Sequence, residues 1–219
     1  MALNHSPKIV TDGLVMIHDA GNVLSYPGSG STINNLVSSS HAGTLQGNAA
    51  YSSDNGGVFT NDGNDYIDVA GTPVGESAYT KMIWFRLNSG AQSSNNNLIS
   101  SSTGGHVLWI PTGNTLRAAH TDTSLHLLTS SVTCEEQRWY HAAVTFNTSS
   151  GWVLYQDSIV VDTDSTTSVR PGDGGTQIGA YNNGNSITGK LSCPTIYNRA
   201  LTSTEILQNF HAMRGRFGL

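Results

Sequence analysis

The chain has few charged residues. Asp, Glu, Lys and Arg make up 11% of its 219 residues, where roughly 25% is usual for a soluble domain. The ten Lys and Arg residues are scattered along the chain, and the formal net charge is −5. Nucleic-acid binding normally requires a basic stripe that neutralises phosphates, so the sequence argues against such a partner. The polar surface must consist mostly of hydroxyl and amide groups, which suits an extracellular or particle-bound β protein.

Long hydrophobic runs are also lacking. No apolar stretch approaches the ~18 residues that a membrane-spanning helix needs. The N-terminus, MALNHSPKIV, has no hydrophobic signal core. We therefore expect no membrane insertion. The protein is expected either to be used without Sec export or to be supplied without its signal.

Cysteine is scarce, with Cys134 and Cys193 as the two examples. Two cysteines in a chain of this length do not make a disulfide framework. We expect free thiols, and a disulfide between the two remains the alternative. Neither cysteine lies in a CxxC motif or beside paired histidines, so a cysteine metal site is not expected.

The residue patterns of hydrolytic enzymes are missing. A glycosidase needs two carboxylates on either side of the scissile bond, but the chain has four glutamates and no E-x-D-x-x-E pattern. The adjacent Glu135 and Glu136 would point to opposite faces of a strand. Neither GxSxG nor HExxH occurs. The sequence therefore predicts that the chain is not an enzyme.

What the sequence does contain is a succession of short apolar runs separated by Gly, Ser, Asn and Asp. The clearest runs are Tyr79 to Leu87 and Trp139 to Phe146. Asp62-Gly63 lies between two more, Val58-Phe59 and Tyr66 to Val69, and predicts a hairpin. The whole pattern predicts an all-β protein, a two-sheet antiparallel jelly-roll sandwich.

We predict a single domain, because no composition break marks a second one. The predicted organisation is an N-terminal arm over 1–9, a jelly-roll domain over 10–215 and a C-terminal tail over 216–219.

One helical pattern lies near the C-terminus, and we predict a helix near 203–214. Thr202 and Glu205 have the spacing of a capping box, and Gly215 is a suitable C-terminal stop. Four apolar side chains fall on one face of this helix: Ile206, Leu207, Phe210 and Met213. This face is expected to pack on a sheet edge or over an open end of the sandwich.

The turn TNDGND is the best candidate for a metal site. Asp62, Asn64 and Asp65 offer hard oxygen ligands of the kind that calcium prefers. The alternative is that Asp and Asn are present as turn formers, since the spacing of an EF-hand is absent. We expect no cofactor, with calcium as the one candidate ion.

A loop rich in Gly and Asn is the best candidate for a glycan site. Sugar binding needs an aromatic platform beside amides and carboxylates. The candidates for this role are Asp173, Tyr181, Asn182 and Asn183. Trp109 and Trp152 are alternative platforms, although their apolar flanks favour the core. For all of these residues, a purely structural role is the competing interpretation.

Five segments together resemble a known family. They are FTNDGNDYIDV, RWYHAAVTFN, GWVLYQDSIVVDT, QIG and GKLSCPTIYNRALTSTEI, within a stretch from about residue 10 to 215. The chain is similar to the laminin-G-like, concanavalin A-like jelly-roll family. The chain departs from the family pattern at Cys193-Pro194. Because Pro194 cannot donate a hydrogen bond to a sheet ladder, we expect an edge or a bulge there.

The two ends of the domain resemble a narrower group. GLVMIHDAGNVLSYPGSGSTINNL and ILQNFHAMRGRFGL are similar to structural proteins of tailed bacteriophages, especially those of marine and cyanobacterial hosts. This resemblance implies a virion location and a role as a capsid decoration protein or a tail or fibre subunit. It implies other virion proteins as partners, with a host-surface glycan as a further candidate, and it implies that the chain forms a homo-oligomer. The alternative is a lectin-like module for cell-surface glycans.

The termini are the predicted contacts to such partners, because neither fits the strand pattern. In the tail, Phe217 and Leu219 would act as apolar anchors, while Arg214 and Arg216 would pair with an acidic lattice. The N-terminal arm, Met1 to Lys8, is too polar to pack alone and would be ordered by a neighbour.

Overall fold

A computed structural model of the protein describes residues 7–91, 94–103, 105–121, 125–167 and 175–219. Within these residues the chain consists of antiparallel strands followed by one short α-helix near the C-terminus. The predicted all-β sandwich with one C-terminal helix is thus confirmed. None of the helices in the described ranges is long and apolar enough to span a membrane.

The largest sheet has eight strands, numbered here in chain order. From one edge to the other they are β15 (Ile159–Asp164), β14 (Gly151–Gln156), β13 (Trp139–Asn147), β7 (Ala78–Leu87), β17 (Thr188–Tyr197), β5 (Val58–Asp62) and β4 (Ala50–Ser52), and β1 (Leu14–Ile17) also pairs with β17. The two predicted long runs form the adjacent strands β7 and β13, which pair in register from Ala78–Asn147 to Arg86–Trp139.

Two smaller sheets form the opposite layer. One contains β12 (Leu125–Thr133), β11 (Thr115–Thr121), β10 (His106–Ile110) and β8 (Asn96–Asn97). The other contains β2 (Thr32–Ile33), β3 (Gly43–Gln46), β6 (Tyr66–Val69), β16 (Thr176–Ile178) and β9 (Ile99–Ser101). The main core lies between the layers, with Phe85 and Val144 from the large sheet meeting Leu108 and Ile178 from the small ones. Alternate residues of each strand supply this core, as in other sandwiches.

The hairpin predicted at Asp62-Gly63 is wrong. The chain does turn there, and Gly63 has a φ of 104°. However, β5 pairs with β4 and β17, whereas β6 pairs with β3 and β16. The turn therefore carries the chain from one layer to the other. The hairpin prediction failed because turn residues specify a change of direction, but they do not specify which strand becomes the neighbour.

The irregularity expected at Cys193-Pro194 is confirmed. The register of β17 against β7 shifts between Ser192 and Thr195, and Cys193 has a φ of 50°. Cys134 and Cys193 are both buried and unpaired, so the expectation of free thiols holds. Burial raises the pKa of each thiol to about 12.

The helix, α1 (Ser203–Met213), starts as the sequence predicted. The Thr202 backbone N–H donates to Glu205 Oε2 at 2.8 Å, and the Glu205 backbone N–H donates to Thr202 Oγ1 at 3.3 Å, which completes the capping box. Arg199 also contacts the Glu205 carboxylate, at 2.6 Å. This guanidinium is the main reason that the pKa of Glu205 is lowered to about 2.

The end of the helix and its location differ from the prediction. The chain continues past Met213 into a 3-10 turn, Arg214–Phe217, so Gly215 is not the stop. The helix covers the outer face of the large sheet, not an edge or an end, because Phe210 stacks on Trp84 of β7 with ring centres 5.4 Å apart. Leu207 was expected on the buried face of the helix, but its side chain is 42% exposed. Asn209 is buried instead.

Candidate functional site

A cavity of about 240 Å³ opens on the outer face of the four-stranded sheet. It lies where this sheet meets the segment that follows β16. Its lining residues are Asn95, Asn97, Val107, Trp109, Ala119, Tyr181 and Asn185. We call this cavity the aromatic–amide pocket.

Strand geometry brings four lining residues together on the outer face. Val107 and Trp109 are two residues apart in β10, so they point to the same side of the sheet. Val107 lies directly across from Ala119 of β11, and Trp109 lies across from Asn97 of β8. The small Ala119 side chain leaves open the space that a larger residue would fill. The indole of Trp109 is half-buried and borders this space.

A tight loop places Tyr181 over the sheet. The backbone N–H of Tyr181 donates to Gly184 O at 2.9 Å, and the Gly184 N–H donates back to Tyr181 O at 3.0 Å. Asn183 fastens the loop, because its side-chain oxygen accepts from Gln177 Nε2 at 2.6 Å and from the Tyr66 hydroxyl at 3.2 Å. Asn182 and Asn183 both have positive φ values, 52° and 56°, which asparagine tolerates better than most residues.

Three asparagine amides complete the pocket. Asn97 is buried, donates from Nδ2 to Asn185 O at 2.7 Å, and accepts from Ser100 Oγ at 3.0 Å. These bonds fix its orientation. The side chains of Asn95 and Asn185 are exposed, and neither amide has a hydrogen-bond partner among the residues that the structure describes. Both can therefore donate to and accept from a ligand.

The structure brings together only part of the predicted glycan set. Tyr181 lines the pocket, whereas Asn182 and Asn183 shape the loop without lining it. Asp173 lies outside the described residues. Of the alternative platforms, Trp109 lines the pocket, contrary to the core placement that its flanks favoured. Trp152 is in the core, stacked on His120 with ring centres 4.2 Å apart.

The sequence analysis missed Asn95, Asn97 and Asn185. The run Asn95-Asn96-Asn97, directly before an apolar strand, is the local signal that could have indicated them. No signal in the sequence places this run next to residue 181. The pairing of β8 with β10 brings it to Trp109, and the hydrogen bond from Asn97 Nδ2 to Asn185 O joins it to the loop that carries Tyr181.

The residues proposed for calcium are arranged as a turn. Asp65 is buried, and its carboxylate accepts the backbone N–H groups of Asn48 at 2.6 Å and of Asp62 at 3.0 Å. Asp62 and Asn64 are exposed. Within the described residues, no group of three or more His, Cys, Asp or Glu side chains is arranged to hold a metal ion. Calcium binding at Asp62, Asn64 and Asp65 stays a prediction.

The predicted docking tail is packed against the domain. Phe217 stacks on Trp84 at 4.4 Å and contacts Trp139 at 4.7 Å. The Arg216 guanidinium donates to Asp19 Oδ1 at 2.8 Å and also contacts Asn55 O and Gly57 O.

These contacts argue against the docking role proposed for Arg216 and Phe217, because their side chains stabilise the protein's own fold. Leu219 is half-buried against the same cluster as Phe217, and Arg214 is exposed.

A buried polar cluster lies on the inner face of the sheet that bears the pocket. Lys81 Nζ donates to Ile99 O at 3.1 Å and lies 3.1 Å from His106 Nδ1. The Tyr79 hydroxyl lies 2.5 Å from His120 Nε2. Burial holds the pKa of the Lys81 amine well below its usual range, and burial together with Lys81 does the same for His106. Burial inside the core therefore favours the neutral form of the Lys81 amine over the charged form.

A second cavity, of about 290 Å³, has a different character. Its walls include the aliphatic Val132, Ile159 and Val161, with the charged Arg138 and Asp157. The Arg138 guanidinium lies 4.9 Å above the Tyr140 ring, so the aromatic face is covered. Burial raises the pKa of Asp157. This cavity offers no bare aromatic platform.

The sequence profile of the Concanavalin A-like lectin/glucanases superfamily matches residues 61–207, about two thirds of the chain. The chain belongs to this superfamily. The resemblance to laminin-G-like, concanavalin A-like domains is thus confirmed at the level of the superfamily. Among curated protein sequences, no match was found.

Solved structures show the same fold at low sequence identity. Trypanosoma rangeli sialidase superposes with a TM-score of 0.72 at 17% identity over 95% of this chain, and this chain spans about a third (34%) of the sialidase. Domain 4 of AbnA, an extracellular arabinanase from Geobacillus stearothermophilus in complex with arabinotriose, has a TM-score of 0.73 at 14% identity and covers 90% of this chain and 97% of that one. The receptor-binding domain of a botulinum neurotoxin C/D mosaic serotype has a TM-score of 0.69 at 14% identity, over 91% of this chain and 51% of that one.

These structures correct one prediction. The sequence was taken to exclude an enzyme. However, domains with the same fold as this chain are parts of a sialidase and of an arabinanase. The prediction is wrong because a domain that lacks a catalytic carboxylate pair of its own can still be part of a larger enzyme. The resemblance to bacteriophage structural proteins stays a prediction.

Proposed function

We propose that the chain is a carbohydrate-binding module and that the aromatic–amide pocket is its ligand site. The observation that supports this most directly is the presence of two aromatic rings, Trp109 and Tyr181, in one cavity with three asparagine amides. A sugar ring has apolar C–H faces and a rim of hydroxyl groups. The rings offer flat apolar surfaces for the faces, and the amides offer paired donors and acceptors for the hydroxyls.

The comparisons support the same proposal. The superfamily is named for lectins and glucanases. The structure of domain 4 of the arabinanase was solved in complex with arabinotriose. This chain is close in length to that domain, since 97% of the domain is covered. We propose that the chain acts in the same way, by holding a glycan at its surface, alone or beside other domains.

Removing either aromatic ring is expected to abolish most of the binding. Trp109→Ala and Tyr181→Ala should each weaken the binding of the best ligand from an oligosaccharide panel that includes arabinotriose by roughly tenfold to a hundredfold, as central aromatic contacts do in other interfaces. Isothermal titration calorimetry would measure this loss. Both rings are partly exposed, so the melting temperature should change little.

The matched control is Tyr51→Ala, which removes a ring that is 38% exposed and does not line the pocket. This variant should bind as the unaltered protein does. If Trp109→Ala and Tyr181→Ala retain full affinity while both remain folded, the pocket is not the glycan site.

We propose a virion structural role as a second candidate, in which the chain forms a homo-oligomer on a bacteriophage particle. One observation favours it. Val23 and Leu24 are 76% and 73% exposed, and they lie in the N-terminal segment that resembles phage structural proteins. Adjacent exposed apolar side chains are typical of an interaction surface.

Light scattering would test the oligomer. The unaltered chain should form an oligomer, and Val23→Ser with Leu24→Ser should shift it to a monomer. A monomeric unaltered chain at high concentration would contradict this candidate and leave the glycan proposal untouched.

A further inference from the structure

Among the residues that the structure describes, the lining of the aromatic–amide pocket contains no ionisable acid or base apart from a tyrosine hydroxyl. Its polar groups are three neutral amides and that hydroxyl, and its remaining surface is Val107, Ala119 and two aromatic rings. Neutral amides can satisfy hydroxyl groups fully, because each amide both donates and accepts. They cannot neutralise a charge.

This composition matters for acidic sugars. A carboxylate that enters a partly desolvated pocket loses hydration, and it regains that free energy only through a cation or several charge-assisted hydrogen bonds. The described part of the pocket's lining provides no cation. The net charge of −5 over the whole chain also disfavours an anionic ligand.

We infer that the pocket binds an uncharged sugar ring and discriminates against sialic acid and uronic acids. This inference rests on the proposed glycan-binding function and specifies its ligand class. The cavity volume of about 240 Å³ is below the roughly 300–1,000 Å³ of typical sites for drug-sized ligands. One ring therefore occupies the pocket, and further rings of an oligosaccharide extend over the surface.

Arg117 is a basic residue that lies near the site. Arg117 is directly across from Trp109 in the strand pairing and so projects from the same face, but it does not line the cavity. Its Nε is enclosed and has no hydrogen-bond partner among the described residues. If the site held an acidic sugar, the Arg117 guanidinium would be the group that binds its carboxylate. Binding of an acidic sugar should then depend on Arg117, and binding of a neutral sugar should not.

The test is a binding panel of matched neutral and acidic oligosaccharides, with lactose against sialyllactose, and with arabinotriose as a further neutral member. The full chain should bind at least one neutral member at least roughly tenfold more tightly than its acidic counterpart, because the carboxylate has no cation in the pocket. Arg117→Gln should leave this preference unchanged. A preference for the neutral sugar that is smaller than this overturns the inference. A preference for the acidic sugar that is lost in Arg117→Gln overturns it as well. In both cases the glycan-binding function stands.

A designed gain of affinity makes the test independent of the natural ligand. Asn95 lines the pocket and is exposed, so Asn95→Lys places a cation there without burying it. This variant should reduce the discrimination against sialyllactose by roughly threefold or more. Ser149→Lys, at an exposed turn outside the pocket, is the control for net charge and should change nothing. An equal response of both lysine variants overturns the inference, whereas failure of every panel member to bind contradicts the glycan-binding function itself.

Discussion

Phe217→Ala is expected to destabilise the protein by about 3–5 kcal/mol, the usual cost of removing a buried phenylalanine ring. The ring is 5% exposed, stacks on Trp84 and touches Trp139. Its loss would leave a cavity under the 3-10 turn and uncover the outer face of the large sheet. The free energy of unfolding, measured by denaturant titration, would show the effect.

Leu207→Ala is the matched control for this prediction. Leu207 is an apolar residue of the neighbouring helix, but its side chain is 42% exposed, so its truncation should cost less than about 1 kcal/mol. If Phe217→Ala is as stable as the unaltered protein, the C-terminal segment is not part of the fold and its interpretation as a docking peptide is restored.

The stability of the protein is expected to rise between about pH 7 and 8.5, by up to roughly 1.4 kcal/mol per pH unit, because of Lys81. Burial lowers the pKa of this amine well below its usual range. In this window the unfolded chain carries a proton on Lys81, and the folded chain binds that proton more weakly because burial disfavours the charged amine. Raising the pH removes that proton from the unfolded state and so favours folding. The increase should end as the pH approaches the unfolded pKa of about 10.4.

Lys81→Met should remove this slope, since methionine fills a similar volume without a titratable group. Chemical unfolding at several pH values would measure it. Lys190→Met is the control, because Lys190 contacts Asp54 at the protein surface, and its slope should match that of the unaltered protein. An equal slope in Lys81→Met and the unaltered protein would show that another group causes the pH dependence.

Features of the fold that depend on local sequence could be predicted. The continuous apolar runs of β7 and β13 and the capping box at Thr202 are encoded within a few residues. Pairing between distant segments could not be predicted in the same way. Asp62-Gly63 correctly indicated a turn, but β5 does not pair with β6, and one of its two partners, β17, lies more than a hundred residues further along the chain. Phe217 was taken for a free anchor because its partners, Trp84 and Trp139, are far from it in sequence.

In the candidate site too, residues with a local sequence signal could be predicted, and residues brought in by strand pairing could not. Tyr181 was predicted because an aromatic residue in a loop rich in Gly and Asn has a recognisable local pattern. Trp109 has apolar neighbours on both sides in sequence, and only the alternation of β10 shows that its indole lies on the outer face with Val107. Asn97 reaches the pocket through its pairing with Trp109. These relations exist only in the folded chain.

The most direct test of the account is a titration of the isotopically labelled protein with its best neutral oligosaccharide, followed through the indole N–H signals in a two-dimensional NMR spectrum. The chain has four tryptophans, of which Trp109 alone lines the pocket, while Trp84, Trp139 and Trp152 serve as internal controls. The account predicts that the Trp109 signal moves in a saturable way and that the other three stay in place. A saturable shift of another indole with no change at Trp109 would contradict the proposed site.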